Sequence, residues 1–321
     1  MSPIRWGILG ASKFAREFLG PAIHAAPGGE FVALATRDVS RAGPFSDFCP
    51  GLRVFESYEK LLEDPDIDAV YIPLPNSMHV EWSIRAAEAG KHVLCEKPVA
   101  MRESEFDDLI AARDRTGKLI AEAYMIVFHP QWQRVKSLIL EGAIGKLVHV
   151  YGAFSFDNRE DRDNIRNRAE TGGGALRDIG VYIFGSTRFV TGQEPDEVTA
   201  RIRYENGVDV FSDVQAQFPG FTYSAYVSTR LHPHQEMVFH GEKGVIRVMT
   251  PFNAQVFGDA QVELARGLSR TVDRFSQARQ YELQVTAFNH SATGGSDYPC
   301  PLEFSRGTQR MIDMAFAACP E

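Results

Sequence analysis

The sequence predicts an α/β protein in two parts. A doubly wound parallel sheet fills residues 1–122, and residues 123–321 form an α+β domain with a large, mostly antiparallel open sheet. Three observations carry this. Short apolar runs alternate with helical patterns up to residue 122, as in βα units stacked side by side. Beyond it the runs lengthen and alternate apolar with polar, separated by turn signals such as Glu205-Asn206-Gly207 and Phe218-Pro219-Gly220. The 321 residues, 44% hydrophobic and 24% charged, suffice for two cores of ordinary size.

Taken in order, Ile4–Leu9 reads as a buried strand. Gly10-Ala11-Ser12-Lys13-Phe14-Ala15 then leads into a helix in which Phe14, Phe18, Leu19, Ala22 and Ile23 recur at helical spacing. This is the strand–turn–helix of a dinucleotide site, the first unit of a Rossmann-type sheet. Gly10 makes the tight turn, Ser12 stands where a second glycine usually admits the pyrophosphate, and small Ala15 lets helix pack on strand. Lys13 and Phe14, on the same turn, join the candidate cofactor-binding residues.

The second strand, Phe31–Ala35, ends in Thr36-Arg37-Asp38. A site for NAD places a carboxylate at this edge for the ribose hydroxyls. Here an arginine that can pair bidentately with a 2′-phosphate comes first, beside a hydroxyl, so NADP is favoured and Asp38 keeps NAD open. Alternatively, Asp38 simply caps the following helix, Val39–Phe48.

A helix at Tyr58–Leu62 precedes the strand from Ala69, which Pro73-Leu74-Pro75 stops at the sheet's carboxyl edge, where open α/β sheets bind ligands. Asn76 then caps a helix carrying His79, Trp82, Ile84, Ala86 and Ala87, and His79 reads first as a packed, hydrogen-bonded histidine. Next, the buried run Val93-Leu94-Cys95 delivers Glu96 and Lys97 to that same edge before Pro98 breaks it. The Lys97 amine there can exchange a proton with an alcohol or carbonyl; the plainer alternative is a solvated loop lysine. A helix at Glu105–Thr116 and a strand at Lys118–Ala121 complete the alternation.

The second domain opens with a helix at Gln131–Leu140, followed by strands at Val148–Phe156, Glu197–Tyr204, Val208–Phe218, Thr222–Leu231, Gln235–His240 and Val245–Met249. Helical patterns at Tyr281–Ser291 and Glu303–Ala318 finish the chain, the last free to pack back on the first domain. The polar stretch 157–171 is too long for a mere connector and reads as a pocket wall or a mobile loop. After it, Gly172-Gly173-Gly174 leads into Ala175–Tyr182. If that segment is helical, Asp178 and Tyr182 share a face and can address one substrate; a salt-bridged aspartate above a half-buried tyrosine is the alternative.

The net charge of −8 argues against nucleic acid as a partner. The four cysteines have neither disulfide-framework nor metal-ligand spacing, so no metal is expected and a reducing cytoplasm fits. No export signal or membrane-spanning stretch is read.

Several motifs stand in a recognisable order: Arg5-Trp6-Gly7-Ile8-Leu9-Gly10-Ala11, Pro75-Asn76-Ser77-Met78-His79, Gly90–Pro98, Gly142-Ala143-Ile144-Gly145-Lys146 and Gly172–Tyr182. Together they resemble the glucose-fructose oxidoreductase/inositol dehydrogenase family over essentially the whole chain. The resemblance is closest to the branch of dimeric dihydrodiol dehydrogenases, xylose dehydrogenases and sugar ketoreductases, with Tyr182 where the inositol branch has histidine. It implies NAD(P) use, a sugar or polyol substrate, and homodimers or homotetramers. It further implies that Lys97 is the catalytic proton donor and acceptor, with Tyr182 and Asp178 beside it. Glu96 would support the lysine, and Asn76 and Pro98 would lie along the nicotinamide. His79, Pro73 and Leu74 complete the cofactor-binding set, and Arg166, Asn164 and Arg177 are candidate substrate contacts. Val127 and Arg177 depart from the usual pattern, so no single relative's substrate carries over. The rivals are a trans-dihydrodiol dehydrogenase acting on aromatic diols and a non-catalytic nucleotide-binding sensor.

Overall fold

The computed structural model describes residues 2–254 and 256–319. The chain divides into two compact units, one made of Met1–Met125 with Arg279–Ser305 and the other of Ile126–Ala278 with Arg306–Glu321. This corrects the expectation that everything beyond residue 122 forms the second domain. The helix Gln280–Ala292 belongs to the first unit, and the last helix, Leu302–Ala318, is divided between the two. The cause is contact at long sequence distance. The indole Nε1 of Trp6 donates to Asn289 Oδ1 at 2.9 Å, and its ring lies 4.8 Å from that of Phe288. Gly29 leaves the room this needs, since a Cβ there would stand 2.7 Å from Asn289 Nδ2.

In the first unit, β1 (Ile4–Leu9), β2 (Gly29–Ala35), β3 (Arg53–Phe55), β4 (Ala69–Ile72), β5 (His92–Cys95) and β6 (Ile120–Glu122) form a parallel sheet in the order β3-β2-β1-β4-β5-β6. β4 is buried throughout, as a strand covered on both faces must be. Strand order reverses between β1 and β4, which opens a crevice beyond their carboxyl ends, where Gly10 and Leu74 meet. The expected helix Val39–Phe48 is instead a 3₁₀ turn, Val39–Ala42, followed by a short α-helix, Gly43–Ser46. Pro44 lacks the amide that would continue the first turn, and so begins a new one.

In the second unit, β7 (Leu147–Asp157), β8 (Glu197–Glu205), β9 (Val208–Phe218), β10 (Phe221–Ser228), β11 (Arg230–Gly241), β12 (Val245–Val248), β13 (Gln261–Arg266) and β14 (Ser269–Arg274) form one sheet in the order β14-β13-β12-β11-β7-β10-β9-β8. Every adjacent pair is antiparallel except β7 and β10, which run parallel. The strands expected at Thr222–Leu231 and Gln235–His240 are redistributed: β10 stops at Ser228, and β11 begins at Arg230 with a bulge before His234. The helices Pro130–Leu140 and Val181–Thr191 belong to this unit, and Trp132 stacks on Phe252 with ring centroids 6.0 Å apart. Among the described residues, no helix is long and apolar enough to cross a membrane.

Candidate active site

At the carboxyl end of β1 the chain turns through Gly10, whose φ of 111° suits glycine, and a Cβ there would crowd Leu74 at 3.1 Å. Ser12 takes a helix-capping role: its Oγ accepts from the amide of Ala15 at 3.0 Å. Beside this turn lies a cleft of about 150 Å³ lined by Ala11, Ser12, Lys13, Arg16, Ser40, Arg41, Pro44 and Phe45. Three cations and two hydroxyls around one hollow next to a tight βα turn suit a phosphate, so a dinucleotide fits these residues. Arg41 spans the hollow's edge, with Nη2 donating to the carbonyl of Ala11 at 2.7 Å.

The residues at the end of β2 divide their roles. Thr36 is buried, and its hydroxyl holds the turn by donating to Asp38 O at 3.1 Å and accepting from Asp38 N at 3.2 Å. Asp38 caps the next turn, accepting from the amide and hydroxyl of Ser40 at 3.1 and 2.6 Å, and these bonds hold its carboxyl below the usual range. Arg37 is exposed. Sequence reasoning missed Arg16, Ser40 and Arg41. The available signal was that basic and hydroxyl residues recur within a few positions of both turns that meet at this edge. Phe14 is only half buried, and its ring packs against Phe18 at 5.0 Å and Tyr281 at 5.6 Å.

β4 and β5 end side by side. The buried Tyr71 hydroxyl donates to Glu96 Oε1 at 2.6 Å, and the Lys97 amide donates to Glu96 Oε2 at 3.3 Å. Glu96 is thus held from both strands, and burial beside this carboxylate pushes the Tyr71 phenol well above its ordinary pKa. The Lys97–Pro98 peptide is cis. His79 is fully buried, with Nδ1 2.8 Å from Pro98 O and Nε2 2.7 Å from Leu74 O. Its side chain is a brace between the two strand ends, with both ring nitrogens engaged; burial lowers its pKa despite the two carbonyls. Pro73 is half buried on the same edge. Asn76 begins a 3₁₀ turn, Asn76–Met78, in place of the cap expected for the helix, which starts at His79.

In the second unit, Leu176–Gly180 forms a π-turn that runs into the α-helix Val181–Thr191. Asp178 accepts from Arg166 Nε at 2.6 Å. Tyr182 packs over Phe154 and Phe252 with centroids 5.8 and 5.5 Å away. Asn164 is occupied within the loop: its Oδ1 accepts from Arg166 N at 3.1 Å and its Nδ2 donates to Asp161 at 3.0 Å. Arg177 lies with its guanidinium 5.0 Å from the Phe316 ring centroid. The glycines before this turn are required by what packs on them: a Cβ on Gly173 would stand 2.7 Å from the carbonyl oxygen of Ile165, and one on Gly174, where φ is 116°, would overlap the Asp209 carboxylate.

Asp209 is 2% exposed, and burial pushes its carboxyl up to about 6. It accepts from the amide of Leu176 at 2.7 Å and so fixes the first residue of the turn that carries Asp178.

Residues 4–124 match the model of an oxidoreductase family with an NAD-binding Rossmann fold, and residues 132–247 match the GFO/IDH/MocA C-terminal domain. The chain belongs to the GFO/IDH/MocA oxidoreductase family. An uncharacterized oxidoreductase of Rhizobium meliloti is 39% identical over 98% of this chain and 96% of that protein. A dTDP-3,4-didehydro-2,6-dideoxy-α-D-glucose 3-reductase of Saccharopolyspora spinosa is 34% identical over 98% and 95%. The crystal structure of a 3-ketoreductase from Actinomadura kijaniata, in complex with NADP and TDP-benzene, superposes with a TM-score of 0.91 at 29% identity, covering 99% of this chain and 98% of that one. The GFO/IDH/MocA fold accounts for both sheets, and its members are oxidoreductases that include sugar-acting enzymes.

Proposed function

We propose that the protein is an NADP-preferring dehydrogenase/reductase that transfers a hydride between the nicotinamide and a sugar or polyol, interconverting a secondary alcohol and a ketone or an aldose and its lactone. The observation that carries this is the end of β5, where Glu96, held by the Tyr71 hydroxyl and the Lys97 amide, fixes the start of the Lys97 backbone at the sheet's ligand-binding edge.

Nicotinamide bound along this edge supplies or accepts the hydride. Gly10, Ser12, Lys13, Arg16, Ser40 and Arg41 would hold the dinucleotide's phosphates, the 2′-phosphate included, with Asn76 and Pro98 along the nicotinamide ring. Arg37 after β2 and Arg41 in the cleft offer guanidinium partners to a 2′-phosphate, which supports the preference for NADP.

Lys97 moves the proton. Reduction of a carbonyl builds negative charge on oxygen, which the Lys97 ammonium and the Tyr182 phenol stabilise before the ammonium protonates it. In the oxidative direction the Lys97 amine takes the hydroxyl proton. Asp178 orients the substrate hydroxyls, with Arg166 fixing the carboxylate. The relatives' names put keto sugars at the head of the substrate list. A homodimer or homotetramer working in the cytoplasm completes the reading.

The test is absorbance at the reduced-nicotinamide band while purified protein, with NADP or NAD, meets a panel of aldoses, polyols, ketosugars, nucleotide-linked keto sugars and aromatic diols. Turnover on a sugar class supports the proposal. Tight NADP binding without turnover on any compound favours the sensor and sinks the catalytic reading, and turnover confined to aromatic diols sinks the sugar assignment.

A further inference from the structure

The loop 157–171 carries Arg166, and a buried arginine outside the site holds that loop at both ends. Arg230, at the start of β11, is 9% exposed. Its Nη1 donates to Asn158 Oδ1 at 3.0 Å, to Thr229 O at 2.9 Å and to Thr229 Oγ1 at 3.2 Å. Its Nη2 donates to Asn167 Oδ1 at 3.1 Å, and its Nε to Glu205 Oε2 at 2.8 Å. Asn167 in turn donates to the carbonyls of Asn158 and Asp161 at 3.0 and 2.9 Å, which closes the loop on itself. The Arg230 carbonyl also accepts from Arg159 Nη2 at 2.6 Å.

Asn158 and Asn167 are the first and tenth residues of one excursion, and a single planar guanidinium bonds both. Arg166, next to Asn167, then reaches Asp178 at 2.6 Å. A loop of this length left to itself samples many conformations, and each guanidinium bond removes some of that freedom. The bulge before His234 matters here, because it interrupts the β11–β7 ladder beside Arg230, where the loop leaves β7.

We infer that Arg230 is a positioning residue: by fixing Asn158 and Asn167 it sets Arg166 on Asp178, and so determines how well the site orients its substrate. The inference deepens the function proposed above and rests on Asp178 having a substrate-orienting role there. Arg230 itself acts only through the loop.

The test uses the full chain and five variants: Arg230→Gln, Asn167→Ala, Arg166→Gln, and the doubles of each of the first two with Arg166→Gln. Two readouts are taken. The first is the rate of tryptic cleavage after Arg159, Arg162, Arg166 and Arg168, which reports the loop without any activity. Cleavage is expected to rise about fivefold or more in Arg230→Gln and Asn167→Ala, because local opening governs it. The second is kcat and KM on the sugar found active. Each single variant is expected to lose about tenfold in kcat/KM, mainly through KM, and less than about twofold when Arg166→Gln is already present.

Losses that multiply with that of Arg166→Gln overturn the inference, as does unchanged cleavage in Asn167→Ala. Should Arg230→Gln fail to fold, Asn167→Ala decides, since it cuts the tie to the loop and keeps the ion pair with Glu205. A wild-type protein that turns over no sugar counts against the proposed function alone, and the cleavage rates then decide whether Arg230 fixes the loop.

Discussion

The hydroxyl of Tyr71, buried at the end of β4, lies 2.6 Å from Glu96 Oε1 at the end of the neighbouring strand. Phenylalanine fills the same space without the donor, so Tyr71→Phe isolates the bond. The expected cost is about 2 kcal/mol, because the acceptor is charged and half buried. Thermal melting should report that loss, and kcat should fall several-fold as the Glu96–Lys97 backbone loosens. An unchanged melting temperature together with an unchanged kcat would remove Glu96 from the supporting role.

Lys97→Met tests the proton carrier. Turnover is expected to drop by about two or more orders of magnitude while NADP affinity, followed by fluorescence titration, stays nearly constant. A variant that retains its rate shows that another group moves the proton.

Gly174→Ala asks for a Cβ where the Asp209 carboxylate lies, at a φ of 116° that alanine rarely adopts. Both penalties fall on the turn that presents Asp178. The variant is expected to lose about 3 kcal/mol or more of stability in a denaturant titration. A loss below about 1 kcal/mol would show that Asp209 moves aside without cost.

Two histidines set a pH dependence. His92 Nδ1 accepts from the amide of Leu119 at 3.0 Å, and His129 Nδ1 accepts from that of Gln131 at 3.1 Å. Protonating either nitrogen destroys its bond, and burial pushes both groups down to about 4. Between about 6.5 and 4 the unfolded chain therefore binds more protons than the folded one, so this contribution weakens as pH falls through that window. Asp209 works the other way. Its carboxyl is raised to about 6, so the cost of burying its charge is relieved as pH falls below that value. Melting curves should separate the two: His92→Gln and His129→Gln each flatten the acid-side decline, and Asp209→Asn steepens it. A His92→Gln profile parallel to wild type would remove that histidine from the balance.

Most of the first sheet was legible because its strands are buried on both faces and announce themselves as short apolar runs, as in Val93-Leu94-Cys95. β3 and β14 were not, for the opposite reason: Ser269–Arg274 is exposed at nearly every position and carries no apolar alternation, and no residue of Arg53–Phe55 is fully buried. The assignment of Gln280–Ala292 to the first unit depends on Trp6 meeting Asn289, a pairing that no local pattern encodes. At the site, the turn at Gly10 and the lysine after β5 stood out by position. The pairing of Arg166 with Asp178 did not, because a polar loop advertises solvent, not the arginine beneath it.

Arg41 and Arg37 separate two accounts of the cofactor preference. Arg37 follows β2 directly and is exposed, whereas Arg41 lines the cleft beside Ser12 and Lys13 and is already tied to Ala11 O. A 2′-phosphate in that cleft would gain a charge-assisted bond from Arg41 that NAD cannot make. Arg41→Ala should therefore weaken NADP binding by about tenfold or more and change NAD binding little. The loss should shrink at high salt, since part of it is Coulombic and the cleft is open to solvent. Arg37→Ala is expected to follow the same direction with a smaller loss, because its side chain must first be ordered onto the ligand. Calorimetric titration of both variants with both dinucleotides decides the matter. Equal losses for NADP and NAD would mean that these arginines steer the cofactor by charge alone, and that the discrimination lies elsewhere on the edge of β2.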